Sequence, residues 1–563
     1  MSCRHHKKSC DRLEELCLPI YDYVIVGAGT AGAPLAKLLS DDPCVSVKVL
    51  EASIDRRADP LVTSSNPFPL QFAPQYHWHT PIDTAPIQPS PFVSPDYLEG
   101  FLWGGSSGHN FLLAVRGTPC IYDEWAKIDC RWSYTSMLPA MKYLEKYTPL
   151  ITGVFNPAER GGSGPLFVTQ GGPGVSSLAP YPELIAALAS QGAPYSPDYN
   201  DPKYGVNVTG EFQNFVRPDD FTRSWAATAF LGPDVVTIQP DGNGTGVGNR
   251  QLEVEARAFA VRILFEDEFF CDKKRKHRRK KNELKAIGIE YTKDGQTHRV
   301  LARKQVVLSA GAVHSPALLM RSGIGPQDNL CDIGVEPRLI NEEVGTGQTH
   351  YGPIAFIPTN PNNVFTARMT SFFQENAEPN CRGYQSIIDG TALVGAILFF
   401  GFDLIPNRCL KIIATSATDP NGVRVDQNPY EINDDDRANA VSFLKRVARI
   451  SLAYTGQMPI APPAALYPIT EFGDNGGLAS DDSQLFAYAL EAGIYTNHIS
   501  GTARMSECKE DGVVDGELNV HGIENLSVVD TSIMPEIVDG NTALAAFYIG
   551  LTKAKMEGAC VPF

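Results

Sequence analysis

A strand, a glycine-rich turn and a helix follow one another close to the start of the chain. The apolar, β-branched residues 23–26 are typical of a buried strand, and residues 33–39 are typical of a helix. Between them, Gly27, Gly29 and Gly32 form the pattern G-x-G-x-x-G. The first glycine permits a tight turn, the second lets the backbone approach a pyrophosphate, and the third lets the helix pack near the strand. This order predicts a Rossmann-like α/β domain that binds a dinucleotide.

A second strand and an acidic residue extend this pattern. The strand predicted at residues 45–50 ends at Glu51, which stands 19 residues after Gly32. A carboxylate at this place binds a ribose hydroxyl and favours an unphosphorylated adenosine half, such as that of FAD or NAD. On these residues alone both cofactors stay open, and so does a glycine turn without a function.

The size and charge of the chain narrow the class of protein. With 563 residues it is too long for one simple core, so we expect two domains or one elaborated domain. The formal net charge of −16 argues against general nucleic-acid binding, because a phosphate backbone requires a basic face. No apolar run has the length of a membrane span and no secretory signal is apparent, so we expect a cytoplasmic protein without a membrane contact.

The cysteines and one basic run add weaker indications. The 12 cysteines are scattered without a C-x-x-C pair, which favours mostly free thiols in a reducing compartment. Cys3, Cys10 and Cys17 recur in an N-terminal arm, residues 1–20, where a loosely docked segment is favoured over a metal site or intermolecular disulfides. We therefore expect no metal. The basic run at 273–281 is interpreted as a solvated hairpin tip, with a nuclear address or a polyanion contact as the alternative.

A glycine- and serine-rich stretch at residues 100–113 predicts a turn whose backbone can approach a flat ligand. This stretch resembles the first signature of the glucose–methanol–choline (GMC) oxidoreductase family, whose members are FAD enzymes. The chain departs from the family at Phe101, where a basic residue is usual, and at His109, where an aliphatic one is usual. In choline oxidase-like members a histidine just before the asparagine carries the flavin covalently, and His109 matches that position. Two interpretations stay open: a covalent His109–FAD bond, for which a neutral imidazole is a suitable nucleophile, or a hydrogen bond beside the ring.

The second signature of the family is matched at residues 311–325, and the resemblance covers nearly the whole chain from Tyr21 onward. It implies a catalytic pair at His498 and Asn541, which are 43 residues apart. His498 would take the hydroxyl proton of an alcohol while a hydride passes to flavin N5, and Asn541 would donate a hydrogen bond to the same oxygen. The alternative is a structural histidine beside a capping asparagine.

The resemblance also implies which residues bind FAD. Val261 is expected on the adenine side, and Asp530 near the ribityl or phosphate region. The implied set comprises Gly27, Gly29, Thr30, Ala31, Gly32, Glu51, Leu102, Gly105, Ser106, His109, Asn110, Phe111, Leu112, Leu113, Val261, Asp530, Asn541 and Thr542.

The resemblance implies an α/β fold in which a Rossmann-like FAD-binding domain carries an inserted α+β substrate domain built on an antiparallel sheet. We assign residues 21–160, 205–350 and 491–563 to the FAD-binding domain, with an excursion at 59–95 that shows no clear helical period. Residues 161–204 and 351–490 are assigned to the substrate domain.

The expected activity is the oxidation of an alcohol CH–OH group to a carbonyl by an oxidase or a dehydrogenase. The expected partners are a small-molecule alcohol and an electron acceptor, either oxygen or another molecule. The sequence leaves the substrate and the oligomeric state open. Two alternatives remain: a lyase of the hydroxynitrile type, which keeps the fold and the flavin, and a structural or interaction protein with a silent site.

Overall fold

The structure is a computed structural model that describes most of the chain. The described residues are 11–83, 96–150, 155–171, 182–270, 284–358, 368–374, 380–389, 396–404, 406, 410–427, 434–456, 481–491 and 493–563. The basic run at 273–281 and two cysteines of the N-terminal arm, Cys3 and Cys10, lie outside them.

In the described part of the chain, helices connect and cover the sheets. The α-helices are α1 (Asp11–Glu14), α2 (Gly32–Leu39), α3 (Pro60–Thr63), α4 (Phe68–Gln71), α5 (Pro119–Trp125), α6 (Tyr134–Leu144), α7 (Pro182–Ser190), α8 (Ala226–Phe230), α9 (Glu266–Phe269), α10 (Gly311–Arg321), α11 (Gln327–Asp332), α12 (Asp434–Thr455), α13 (Asp482–Glu491) and α14 (Ala543–Met556).

The strands are numbered in chain order. They are β1 (Ile20–Val26), β2 (Val47–Glu51), β3 (His77–Asp83), β4 (Asp96–Gly100), β5 (Glu145–Thr148), β6 (Leu166–Gln170), β7 (Val208–Glu211), β8 (Gln213–Asn214), β9 (Val236–Ile238), β10 (Gly244–Gly246), β11 (Leu252–Ala256), β12 (Phe259–Phe265), β13 (Leu284–Lys293), β14 (Gln296–Leu308), β15 (Ile324–Gly325), β16 (Leu339–Ile340), β17 (Thr346–Gly347), β18 (Tyr351–Pro358), β19 (Arg368–Phe373), β20 (Tyr384–Asp389), β21 (Ala396–Asp403), β22 (Leu410–Ala414), β23 (Val423–Gln427), β24 (Gly493–Tyr495), β25 (Ile523–Glu524) and β26 (Leu526–Val528).

A mixed sheet of ten strands organises the first half of the fold. Its main path runs β12-β13-β14-β1-β2-β11-β10-β9, while β25 pairs with β13 and β26 with β14. The centre is parallel, because β1 pairs in parallel with β2 and β14, and β2 with β11. Parallel strands that are buried on both faces have continuous apolar sequences. Residues 24–26 of β1 form such a sequence and are buried. The predicted strand–turn–helix unit at the start of the chain is therefore part of a Rossmann-like sheet.

An antiparallel sheet of six strands forms the second half of the fold. Its order is β24-β18-β21-β20-β19-β7, and each neighbouring pair is antiparallel. Helices α7, α12 and α13 pack together with this sheet around a separate apolar core. Strand β7 comes from residues 205–350, which were assigned to the other domain, so the sheet takes one edge strand from outside the predicted substrate ranges.

A third sheet has five strands. Its order is β17-β22-β23-β3-β4. Strands β22 and β23 come from the range assigned to the substrate domain, yet they pair with this sheet and not with the six-stranded one. The excursion at 59–95, whose sequence shows no clear helical period, contains two four-residue helices, α3 and α4, and strand β3 in its described part.

The cysteines differ from the prediction of mostly free thiols at three positions. Cys120 and Cys381 form a disulfide with a Cα–Cα distance of 5.3 Å, and Cys44 is also disulfide-bonded. The remaining described cysteines are free and exposed: Cys17, Cys130, Cys331, Cys508 and Cys560. The sequence separation of 261 between Cys120 and Cys381 left no local signal for the pairing.

The described residues show neither a membrane-spanning helix nor a metal-binding cluster. No helix among them is long and apolar enough to cross a membrane. No group of three or more histidine, cysteine, aspartate or glutamate side chains within the same residues is placed to hold a metal ion.

Candidate active site

One elongated cavity of about 780 Å³ extends from the glycine turns of the mixed sheet to the face of the six-stranded sheet. At one end it is lined by Gly27, Gly29 and Glu51, and at the other by His498 and Asn541. Its volume lies within the range of cofactor and ligand pockets, which is about 300–1,000 Å³.

The glycine end is a cradle into which side chains would not fit. Gly27 has a φ of +100°, and a Cβ there would stand 2.3 Å from the carbonyl oxygen of Ser309. A Cβ on Gly32 would stand 2.2 Å from the carbonyl oxygen of Gly27, which is the close helix–strand approach expected for the third glycine. A second glycine turn closes the cradle, since a Cβ on Gly105 would be 3.0 Å from the Cα of Gly29.

Two buried carboxylates hold the loops around this cradle. Glu51 accepts hydrogen bonds from the backbone N–H of Ala28 at 2.8 Å and from the backbone N–H of Ser53 at 2.9 Å. Asp530 accepts from the Gly311 N–H at 2.9 Å and so ties the C-terminal segment to the start of α10. Burial raises the pKa of both carboxyl groups, although these hydrogen bonds oppose the shift.

His109 lies in the cavity wall with an unused ring nitrogen. The residue is buried, its ring packs edge-on against His77 with centroids 4.5 Å apart, and Gln71 donates to its backbone oxygen at 2.6 Å. Its Nε2 has no hydrogen-bond partner among the described residues. Burial, with the neighbouring His77 and Arg223, lowers the pKa of His109 well below its usual range, so the ring is neutral at pH 7.

At the far end of the cavity, three side chains form a chain of polar contacts. The Nε2 atom of His498 lies 3.4 Å from Nδ2 of Asn541, and its Nδ1 atom lies 3.0 Å from Nδ1 of His350. Burial lowers the pKa of His498 to about 4. Burial and the proximity of His498 lower the pKa of His350 well below its usual range. Both rings are therefore neutral at pH 7.

The amide of Asn541 is oriented by the six-stranded sheet. Gln385 of β20 donates from Nε2 to Asn541 Oδ1 at 3.2 Å, so the Nδ2 group of Asn541 is the one turned to His498. The loop before Asn541 is also fixed, because Asp539 accepts from the Thr118 N–H at 2.8 Å and the Arg382 N–H at 3.0 Å. Elements from both halves of the fold thus hold the asparagine in place.

Most of the residues predicted from the sequence line this cavity. They are Gly27, Gly29, Thr30, Ala31, Glu51, Leu102, Gly105, Ser106, His109, Asn110, Phe111, Leu113, His498, Asp530, Asn541 and Thr542. Gly32, Leu112 and Val261 are not in the lining. Gly32 acts in helix packing, Leu112 is buried in the main core, and residues 258–260 line the cavity next to Val261.

The sequence reasoning missed His350 and Gln385. In the sequence, His350 is 148 residues from His498, and Gln385 is 156 residues from Asn541. An antiparallel bridge between Gln348 and Ser500 brings His350 to His498, and no local pattern predicts such a bridge.

Comparison with known proteins assigns the chain to a family. Residues 245–349 and 412–550 match the N-terminal and C-terminal family models described as GMC oxidoreductase. The chain belongs to the GMC oxidoreductase family. An oxygen-dependent choline dehydrogenase of Stenotrophomonas maltophilia is 28% identical, covering 92% of each chain. The mitochondrial choline dehydrogenase of Homo sapiens is 27% identical, over 92% of this chain and 87% of the human one.

The solved structures agree in fold. A pyridoxine 4-oxidase from Mesorbium loti superposes with a TM-score of 0.75 at 23% identity, covering 96% of this chain and 99% of that one. The predicted family, the α/β fold class and the assignment as an FAD-dependent oxidoreductase acting on CH–OH donors are confirmed. The cavity fits FAD, because added side chains would fill its glycine cradle and the buried Nε2 of His109 in its wall has no hydrogen-bond partner among the described residues.

Proposed function

We propose that this oxidoreductase converts an alcohol to a carbonyl with His498 as the base and Asn541 as the hydrogen-bond donor to the reacting oxygen. The observation that supports it is the contact of 3.4 Å between His498 Nε2 and Asn541 Nδ2 at the cavity wall. When bound, FAD supplies N5 as the hydride acceptor. The two side chains supply the proton acceptor and the orientation of the hydroxyl group.

The hydrogen-bond donor Asn541 determines which ring nitrogen of His498 carries the proton. Since Asn541 Nδ2 carries only hydrogens, His498 Nε2 must be an acceptor for this contact, and the single ring proton of neutral His498 then sits on Nδ1. That proton is donated to His350 Nδ1 at 3.0 Å. Nε2 of His498 is thereby unprotonated, and it can take the hydroxyl proton of the substrate once the substrate oxygen replaces it as the acceptor from Asn541 Nδ2.

The pKa of His498 suits a base and not an acid at pH 7. With a pKa of about 4, His498 carries no proton on Nε2 at pH 7. After it takes the substrate proton it is a cation in a buried place, so it releases that proton readily before the next turnover. The amide of Asn541 is fixed by Gln385 and cannot rotate to present its oxygen to the hydroxyl group.

We also propose that the FAD-binding residues implied by the sequence act together, with His109 next to the reactive half of the cofactor. Its neutral ring and unpartnered Nε2 suit a nucleophile toward the cofactor as well as a hydrogen-bond partner. Precipitation with acid distinguishes the two. Yellow colour that stays with the protein pellet means a covalent bond, and colour released to the supernatant excludes it.

The test of the reaction uses the purified yellow holoenzyme under anaerobic conditions. We expect an alcohol to bleach the flavin, and the variant His498→Ala to keep its flavin while the bleaching rate falls on the order of 10²- to 10⁴-fold. His521→Ala, a histidine outside the cavity lining, is the matched control and keeps the rate. A broad alcohol panel that never bleaches the flavin would favour the lyase or the silent-site alternative.

The electron acceptor is either oxygen or another molecule. Oxygen consumption that matches the rate of alcohol oxidation identifies an oxidase. Turnover that requires an added dye identifies a dehydrogenase. The cytoplasmic location stays a prediction, and fractionation of the source cells tests it.

A further inference from the structure

Helix α10 turns one face toward the cofactor cavity. His314, Leu318 and Arg321 line the cavity, and their spacings of four and three residues place them on one side of an α-helix. The helix lies within residues 311–325, which match the second family signature, and the residues implied to bind FAD include none of its side chains. This face is therefore a part of the cavity wall whose role the family resemblance leaves open.

Arg321 lies on the side of the cavity that contains Glu51. Its Nε donates to the backbone oxygen of Val261 at 3.2 Å. Residues 258–260, directly before Val261, line the same cavity. The Ala258 N–H donates to the backbone oxygen of Glu51 at 2.9 Å, so this segment adjoins the end of the second strand. Because a carboxylate at that place binds the ribose of an adenosine, Arg321 stands at the adenosine end of the site.

Strand β12 holds Arg321 in this position. The Ile263 N–H of this strand donates to Ser322 Oγ at 2.9 Å, and Ser322 Oγ donates to the backbone oxygen of Leu318 at 2.7 Å. The end of α10 is thus tied to the strand at two consecutive residues, Arg321 and Ser322. Arg321 is 5% exposed. A side chain that is already ordered in this way loses little conformational freedom when a ligand binds to it.

The guanidinium of Arg321 has hydrogen-bond donors that the described residues do not use. A guanidinium carries five N–H donors, and Val261 accepts from the one on Nε. The Nη1 group is buried and has no partner among the described residues. Burial lowers the pKa of Arg321 to about 10, although the charge of Asp419 opposes the shift, so the group is a cation at pH 7. Because a buried donor without an acceptor is costly, an acceptor in this part of the cavity would stabilise the group.

The adenine ring of FAD carries acceptors that match these donors. Its ring nitrogens N3 and N7 accept hydrogen bonds, whereas a guanidinium only donates them. We propose that Arg321 binds the adenine ring of FAD, with its Nη groups donating to the ring nitrogens. Val261, which the resemblance implies on the adenine side, then serves the cofactor through its backbone oxygen, because this oxygen holds Arg321. The second family signature thus supplies a residue that recognises the base.

The first experiment measures how fast FAD leaves the protein. The His109→Ala holoenzyme is the common background, so that a covalent bond at His109 cannot retain the flavin. The holoenzyme is diluted, and the change in flavin fluorescence gives the rate constant of FAD release. Arg321→Met removes the donors and keeps an unbranched side chain. We expect this variant to release FAD on the order of 10- to 100-fold faster, because hydrogen bonds to charged groups are stronger than those between neutral groups.

The matched control is Arg338→Met. Arg338 is partly exposed, forms ion pairs with Asp267 and Glu268 at 3.2 Å, and lies outside the described lining of the cavity. Ion pairs of this kind contribute little, so the rate of FAD release should stay within about twofold. A control variant that releases FAD as fast as Arg321→Met would show that loss of any arginine in this region weakens the protein, and it would overturn the proposal.

The second experiment locates the effect on the cofactor. FMN, AMP and ribose 5-phosphate are fragments of FAD, and of the three only AMP contains the adenine ring. Each fragment is used to displace FAD from the diluted holoenzyme, and the FAD that stays bound is measured after filtration, which gives a Kd for each fragment. We expect Arg321→Met to weaken AMP by about the same factor as FAD and to leave FMN and ribose 5-phosphate within about twofold. No alcohol is present, so the outcome is independent of the reaction at His498.

Three further results would overturn the proposal. An unchanged rate of FAD release in Arg321→Met would show that the guanidinium does not hold the cofactor. An equal weakening of all three fragments would indicate a purely structural role at the end of α10. A weakening of ribose 5-phosphate equal to that of AMP would place the contact on the ribose and not on the base.

A second variant keeps the test available if Arg321→Met folds poorly. Arg321→Lys retains a buried cation but has fewer donors on a shorter side chain. We expect a selective loss of AMP affinity of roughly threefold or more in this variant, with FMN and ribose 5-phosphate within about twofold. A loss shared by all three fragments, or no loss of AMP affinity, would overturn the proposal in the same way.

Discussion

Replacing His350 by leucine removes the acceptor for the Nδ1 proton of His498, which now lies 3.0 Å away. His350 is buried and His498 is half-buried, so the donor left behind would lose a hydrogen bond in a place with little access to water, at about 1–3 kcal/mol. His498 can avoid this cost by moving its proton to Nε2, but Nε2 is then no longer a base. Either outcome should slow flavin reduction by roughly 10- to 100-fold while the flavin stays bound.

The matched variant is His350→Asn, because an asparagine Oδ1 can accept a hydrogen bond near the position of the histidine Nδ1. Stopped-flow measurement of anaerobic flavin reduction at saturating alcohol gives the rate constant for each variant. We expect the asparagine variant to keep a rate within about fivefold of the unaltered enzyme. A leucine variant as fast as the unaltered enzyme, or an asparagine variant as slow as leucine, would refute the role of His350 in setting the proton on His498.

Further variants and conditions test other contacts. Gln385→Leu frees the Asn541 amide and should lower the flavin reduction rate by about 5- to 10-fold, as stopped-flow measures. Because the pKa of His498 is about 4, kcat/KM should be level between pH 6 and 8 and fall as the pH approaches 4. Burial and, after it, the charge of Asp530 raise the pKa of Glu99 from 4.5 to about 8, so stability is lost as the pH rises between these values and the buried carboxyl group must ionise. Glu99→Gln should therefore raise Tm at pH 8 and leave it unchanged near pH 4. The free energy of unfolding would change by up to about 5 kcal/mol. The Cys120→Ser/Cys381→Ser double variant should unfold at a lower urea concentration, because loss of the disulfide lowers the free energy of unfolding by roughly 2–5 kcal/mol.

The local elements of the nucleotide-binding half could be predicted because each depends only on consecutive residues of the sequence. The strand expected at 23–26 lies inside β1, and the helix expected at 33–39 differs from α2 by one residue. The glycine spacing fixes the turn between them, since it depends on backbone clashes within a few residues. The pair His498–Asn541 came from the family resemblance, and the structure brings its two side chains together.

The remainder depends on contacts between distant segments. His350 reaches the site through a bridge between two loops, and Gln385 through the register of the six-stranded sheet. The disulfide joins residues 261 positions apart, so twelve scattered cysteines gave no hint of it. Strands β22 and β23 lie in the range assigned to the substrate domain, but the pairing of β23 with β3 is decided by the tertiary fold and not by the residues of the two strands.

The Cys120–Cys381 bond gives the molecule a pivot. Cys120 belongs to α5, which packs with the mixed sheet, and Cys381 precedes β20 of the six-stranded sheet. Any swing of one half against the other must leave these two residues in place, so displacement grows with distance from the bond. Asp539 binds the backbone on both sides of this bond, at Thr118 and Arg382. The segment leading to Asn541 is therefore the part of the site that such a swing would move least.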